Sequence, residues 1–363
     1  MTDKTNNLIV SFCIPVYNNA EAAERLVKGI LRSDSMRFEV VVSDDASSDD
    51  CKERLSHIHD SRFRYYRNEK NLGAHKNWEH ALELGQGEYL FLSMGRDRLH
   101  HEGINRLIEI LEYAHENNIT LLQDGYSGNG EIRIYDGIDA MIHFLNVSHP
   151  TGSIFSRKLF REIPDRTKYF DISDMYPENY VRRDMLLHGK AASIMSGTYV
   201  YPDPIIDMAK IKSTVESGKS LYDMFCAPRR RTVLFFELMD IAEPELSQRF
   251  NEYEVNKYIG AKFLELLNYV SITWHISCRN HEWQAHYGQK IKHISISEMI
   301  RNIFTARHDA LVHLKEKGIY TPSRQRIMNY CMIKIIVKIF MYRLLEPLGI
   351  CAVLMKIKHL IKG

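Results

Sequence analysis

The chain has 363 residues, 45% hydrophobic and 26% charged, with a formal net charge of +2. That length suggests two domains or one large domain with an extension, and that balance gives no global signal for nucleic acid. Six scattered cysteines with no Cys-x-x-Cys pair indicate neither a zinc site nor a disulfide framework and fit a reducing cytoplasm. The polar N-terminus lacks an apolar signal core.

Residues 8–15 form an apolar strand pattern, and Asn19 can cap a helix whose core face is Ala23, Leu26, Val27, Ile30 and Leu31. Residues 38–43 are a β-branched run, read as a strand buried on both faces of a parallel sheet, and the run stops at Asp44-Asp45. Ser47 or Ser48 can cap a short helix reaching residue 58. A strand at 63–67, a helix at 75–84 and a strand at 88–93 follow. A helix striped by Ile104, Leu107, Ile108 and Leu111 then leads to a strand at 120–123. Alternation of this kind predicts an α/β fold with a mostly parallel sheet.

The pattern then loosens into a Gly-rich loop at 125–130 and a short strand at 152–155. A helix at 177–188 stops at Gly189, and 191–201 is extended. From about residue 221 the chain is helical, so the expected domains are 1–205 and 206–363.

In parallel sheets ligands bind outside the carboxyl ends of the strands. Four such ends carry polar groups here. They are Pro15-Val16-Tyr17-Asn18, then Ser43-Asp44-Asp45-Ala46-Ser47, then Asn71-Leu72-Gly73 with Asn77, and the strand announced by Gly87-Glu88-Tyr89. This set resembles the family 2 glycosyltransferases over about the first 200 residues. The resemblance implies a GT-A fold, Rossmann-like, with a mostly parallel sheet and flanking helices, plus a helical C-terminal region. It also implies transfer of a sugar from a nucleotide donor to an acceptor hydroxyl, with inversion. It assigns Tyr17 to stack on the base and Asp45 to accept from the ring N–H, which selects a uracil- or thymine-type base. Pro15 and Asn18 belong to the same nucleotide site, and Asp44, Asn71, Gly73 and Asn77 would line the ribose and phosphates. The residues alone also allow a core tyrosine, a helix-capping aspartate and ordinary turn roles.

Family members follow the Gly-Glu-Tyr strand with an acidic cluster that ligates Mg²⁺ or Mn²⁺. Here Arg96, Asp97 and Arg98 occupy that register. Oxygen ligands hold such ions and neighbouring cations repel them. Three readings stay open: Arg96 or Arg98 replaces the metal on the diphosphate, Asp97 still binds a metal, or the protein binds without turnover. In the family the general base is a carboxylate opening a helix that ends in Gly. Counting back from Gly189 puts it at Glu178, with Asp174 as the second candidate. Glu178 can equally serve only the helix dipole. Arg182-Arg183 is either a solvated face or a contact for an anionic acceptor.

Residues 324–363 hold eight basic residues against one acid, Glu346, so the tail differs from the net-acidic remainder. Residues 332–345 are apolar between their cations, too short and too charged to span a bilayer. Such a segment suits an anionic membrane surface, or packs on its own domain or on a second copy in a homo-oligomer. The expected protein is a cytoplasmic enzyme, peripheral at the inner face of the membrane. It would move a UDP-linked sugar to a saccharide or lipid-linked saccharide of a cell-surface polysaccharide. The alternative is a non-catalytic nucleotide-sugar or glycan-binding protein of the same fold.

Overall fold

The computed structural model describes residues 8–95, 97–125, 130–145, 151–164, 177–200, 228–273 and 294–345. The chain divides into two units, Met1–Ala209 and Lys210–Gly363.

The first unit is a layered α/β assembly. Its central strand β1 (Val10–Val16) is buried at every position, as a strand flanked on both edges and covered on both faces must be. β1 pairs in parallel with β2 (Phe38–Asp44) and with β4 (Tyr89–Leu92), and β2 pairs in parallel with β3 (Phe63–Arg67). Phe12 sits between the rings of Phe38 and Phe91, 5.8 and 5.2 Å away. The helix α1 (Ala20–Ile30) buries Ala20, Ala22, Ala23, Leu26, Val27 and Ile30, the stripe its periodicity predicts. α2 (Cys51–Ser56), α3 (Ala74–Leu84) and α4 (Ile104–Glu116) complete the alternation, with the short β5 (Arg98–Leu99) before α4. Gly87 is required before β4, because a Cβ there would lie 2.7–2.9 Å from the backbone of Val10 and Ser11.

The caps differ from those expected. The Asn19 side chain makes no cap bond. Instead Asp49 Oδ2 accepts the Ala20 N–H at 2.9 Å, and its Oδ1 accepts the Cys51 N–H at 3.2 Å. One carboxylate therefore serves the starts of both α1 and α2. Neither serine caps α2, whose N-cap residue is Asp50. Ser47 accepts from the Asn18 N–H, and Ser48 donates to Asn18 Oδ1.

The second half of the sheet holds β6 (Ile119–Asp124), β7 (Ile132–Tyr135), β8 (Ser153–Ser156) and β9 (Lys190–Ile194). Strand order is β3-β2-β1-β4-β8-β6-β9-β7. β8 runs antiparallel between β4 and β6, and β7 is antiparallel on β9. β10 (Tyr199–Val200) pairs with β5 in a separate ribbon. Helices α5 (Gly137–Phe144), α6 (Arg157–Glu162) and α7 (Glu178–His188) flank this half. β7, α5 and α6 were not predicted, since each spans only four to eight residues, too few to set a period. The result is the mostly parallel sheet with flanking helices that the alternation predicts.

The second unit is helical in its described residues: α8 (Pro228–Arg249), α9 (Glu252–Asn268), α10 (Ile296–Glu316) and α11 (Pro322–Leu345). α9 opens with a capping box between Asn251 and Glu254. Its core includes Phe235, Phe263 and Tyr258, and a buried pair joins Arg324 to Glu243 at 3.0 Å. Among the described residues no helix is long and apolar enough to cross a membrane.

Candidate functional site

β1 and β2 end in register, Val16 opposite Asp44, and the Asp45 N–H donates to the Val16 carbonyl at 2.9 Å. The two turns beyond are stitched together. Asn18 stands in the left-handed region at φ 47° and accepts from Ser48 at 2.8 Å. Asn tolerates that conformation better than most residues. The stitching leaves Tyr17 half exposed on the rim, while Asp45, in the turn after the neighbouring strand, is buried. Pro15 is buried one step inside, opposite Ser43.

The two aspartates do different things. Asp45 Oδ1 accepts from the Leu72 N–H at 2.7 Å and from Asn68 at 3.0 Å, and its Oδ2 accepts from the Gly73 N–H at 3.0 Å. It holds the 68–73 loop against the rim. Asn71 fixes that loop by accepting from the Gly73 N–H at 2.9 Å, and Gly73 takes φ 86°, which only glycine adopts without strain. Asp44 is fully buried and accepts from the Ser47 N–H at 2.9 Å, the Tyr65 hydroxyl at 2.5 Å and Arg67 at 2.8 Å. Burial pushes its carboxyl up, but those hydrogen bonds outweigh it and hold the group below its ordinary range.

The expected ribose and phosphate lining is thereby corrected at two positions. Asp44 faces Tyr65 and Arg67 inside the protein, not the cleft. Asn77 is also buried; it accepts from Ser43 at 2.6 Å and Asn68 at 3.1 Å and donates to the carbonyls of Val16 and Ser43. Its amide is spent on fastening α3 to the ends of β1 and β2.

β4 ends beside the same rim. A Cβ on Gly95 would lie 3.0 Å from the Val16 side chain. Asp97 is fully buried, and its Oδ2 accepts from the Met94 N–H at 2.7 Å and the Ser93 hydroxyl at 3.4 Å, closing a tight turn. Arg98 is exposed on β5, and Arg96 lies outside the described residues. Among the described residues no group of three His, Cys, Asp or Glu side chains converges. A Mg²⁺ or Mn²⁺ site needs several oxygen ligands. One buried carboxylate already accepting within its own turn, with Arg98 next in the chain, does not fit that need.

The far side of the same sheet edge is built from distant residues. The Gly152 N–H donates to the Leu92 carbonyl at 3.1 Å, and the Asp124 N–H to the Gly152 carbonyl at 2.8 Å, so β4, β8 and β6 meet there. α7 leads directly into β9, so its first turn lies at this edge. Glu178 in that turn is almost wholly buried. One turn on, Arg182 is completely buried and donates to the Phe144 carbonyl at 3.2 Å, to Gln123 Oε1 at 3.1 Å and to the Ser153 hydroxyl. Burial pulls its guanidinium down to about 10, against the opposing pull of the Glu178 carboxylate. The solvated-face reading of Arg182 is thus wrong; only Arg183 is partly exposed, and it pairs with Asp184 at 2.7 Å. Asp124, ending β6, accepts from the N–H and hydroxyl of Ser196 at 3.0 and 2.5 Å. Gln123 and Asp124 were not singled out from the sequence; Asp124 carried a signal, an acid ending an apolar strand. Asp174 and the tail from 346 onward lie outside the described residues.

The family profile "Glycosyl transferase family 2" matches residues 11–188. The putative colanic acid biosynthesis glycosyl transferase WcaA of Escherichia coli is 32% identical over 87 residues, 23% of this chain and 31% of that one. A Campylobacter jejuni GalNAc(5)-diNAcBac-PP-undecaprenol beta-1,3-glucosyltransferase is 29% identical over 111 residues, 29% of this chain and 36% of that one. The chain thus spans about a third of the length of these relatives. The S. aureus TarS 1-349 structure in complex with UDP-GlcNAc superposes with a TM-score of 0.53 at 14% identity, covering 88% of this chain and 90% of that one. Both the paired turns at Tyr17 and Asp45 and the helix opened by Glu178 fall within the matched span, and it is this part of the chain, residues 11–188, that matches glycosyl transferase family 2.

Proposed function

We propose that the protein is an inverting glycosyltransferase that moves a sugar from a UDP-linked donor to a saccharide or lipid-linked saccharide in cell-surface polysaccharide assembly. The observation that carries this reading is a half-exposed Tyr17 directly after β1 with a buried Asp45 in the adjoining turn, its N–H on the Val16 carbonyl. A carboxylate offers about four lone-pair sites. Asn68, Leu72 and Gly73 occupy three, which leaves one on Oδ2 for an imide N–H. The relatives named for colanic acid biosynthesis and for an undecaprenol-linked substrate support the acceptor class.

In this reading the acceptor hydroxyl oxygen attacks the anomeric carbon from the face opposite the nucleotide. The bond from that carbon to the phosphate oxygen breaks, the nucleoside diphosphate leaves with the electron pair, and the hydroxyl proton passes to Glu178. Arg98, with Arg96, meets the charge that grows on the leaving diphosphate. Tyr17 and Asp45 bind, Asn71 and Gly73 shape the loop around the base, and Asn18 locks the turn. The domains proposed are a transferase at 1–205 and a helical region at 206–363.

Incubation with a panel of nucleotide-sugars and detection of nucleoside diphosphate release tests the activity. Release that depends on acceptor supports it. Calorimetric binding of nucleotide with no release under any donor and acceptor pair would establish the non-catalytic alternative instead.

A further inference from the structure

α11 is apolar on two faces. Met328, Cys331, Ile335 and Ile339 are buried, and the helix is held inward by Cys331 donating to the Gly260 carbonyl of α9 and by Arg307 of α10 donating to Asn329 at 2.6 Å. The other face carries Tyr330, Ile333, Val337, Phe340 and Met341, which are 66, 57, 53, 55 and 48% exposed. Their spacing of three, four and three residues sets them in one stripe along the helix. A single exposed apolar residue needs no explanation, but a continuous stripe marks a contact surface.

Charge selects what it contacts. Arg326, Lys334 and Lys338 are exposed along the same helix, and α11 contains no acidic residue at all. A two-fold contact between copies would bring this face against itself and gather Lys334 and Lys338 of both copies with no carboxylate on the helix to pair them. An anionic lipid surface satisfies both features: headgroups meet the cations, and the acyl boundary takes the apolar side chains. The sequence after α11 adds Lys356, Lys358 and Lys362 against the single acid Glu346. We infer that the outer face of α11 docks on an anionic phospholipid bilayer, lying in its interface without crossing it. This holds the enzyme where a lipid-linked acceptor resides, a consequence that rests on the transferase reading; the docking itself does not.

The test uses the full chain and vesicles of phosphatidylcholine alone or mixed with phosphatidylglycerol. The protein should co-sediment with the mixed vesicles only, and added salt should release it. Lys334→Gln with Lys338→Gln should weaken binding, each about fivefold. Val337→Glu with Phe340→Glu should weaken it about tenfold or more. These positions are exposed, so far-UV dichroism should be unchanged. No partition onto anionic vesicles, or equal partition by wild type and the glutamate variant, overturns the inference. So does a dimer seen by light scattering that the glutamate variant dissociates while vesicles capture nothing, which would assign the face to self-association. Because no sugar transfer is measured, failure here is distinct from failure of the transferase reading.

Discussion

The two sides of the sheet edge are made in opposite ways. The Tyr17–Asp45 side comes from turns that directly follow adjacent strands, and its polar groups bond to residues within the same few loops. The Glu178–Arg182 side is assembled from α5, α7, β6 and β8, and Arg182 alone reaches residues 29, 38 and 59 positions away. The first is made by turns that meet across spans of 27 to 30 positions, because the strands carrying them are neighbours in the sheet. The second needs four elements in place, and it buries a cation where the first buries the carboxylates of Asp44 and Asp45. The near side is fastened by turn amides closing on carboxylate and amide oxygens, the far side by one buried guanidinium.

Substitutions can sharpen or break that contrast. The largest effect on rate should come from Glu178→Gln, which should lower transfer by about 10²–10⁴-fold while nucleotide affinity measured by calorimetry stays within error. A variant that transfers at the wild-type rate removes Glu178 as the base. Arg182→Met should be the most destabilising change, by about 3–5 kcal/mol in denaturant unfolding, because three buried acceptors lose their donor. If it unfolds like wild type, the far side is not the packed network described. Tyr17→Ala should weaken nucleotide binding by about 1–3 kcal/mol and leave unfolding unchanged, as expected of a residue on the rim. An unchanged affinity would dissolve the contrast, since the near side would then bind nothing.

The smallest effect is a pH dependence. The Asp44 carboxyl is held below its ordinary value, so the stability it contributes is present above the unfolded value, about 4. That stability is lost as pH falls through the lower folded value. Asp44→Asn should therefore unfold earlier than wild type at neutral pH, and the difference in melting temperature should narrow below about pH 4. A difference that grows in acid would reverse the assignment.

The sequence made the near side legible and the far side mostly opaque, for the same reason. β1 and β2 are mostly apolar runs ended by polar turns, and β3 holds three aromatic residues among two arginines, so the strand at 63–67 could be placed to the residue and the turns carrying Tyr17 and Asp45 put at adjacent strand ends. Whether an acid at such a turn faces the cleft or the interior depends on what the next strand offers. Tyr65 and Arg67 on β3 draw Asp44 inward, and Ser43 with Asn68 does the same for Asn77. Those partners lie 9 to 34 positions away and follow no repeat. Arg182 was misjudged on the same ground: two adjacent arginines on a helix read as a wetted face, and nothing local says that Gln123 and Ser153 wait beneath one of them. The antiparallel β8 was also hidden, because a four-residue strand does not reveal its direction.

Asp49 has a consequence for the diphosphate. The amides that open α1 and α2 are the natural electropositive spots beside this rim, where backbone dipoles would otherwise welcome a phosphate. The Asp49 carboxylate already lies against both, so an internal anion has quenched that field. On the transferase reading, a polyphosphate at this edge would be neutralised by cationic side chains instead of by the rigid scaffold, so charge recognition there would be a property that side-chain replacement tunes without disturbing the framework.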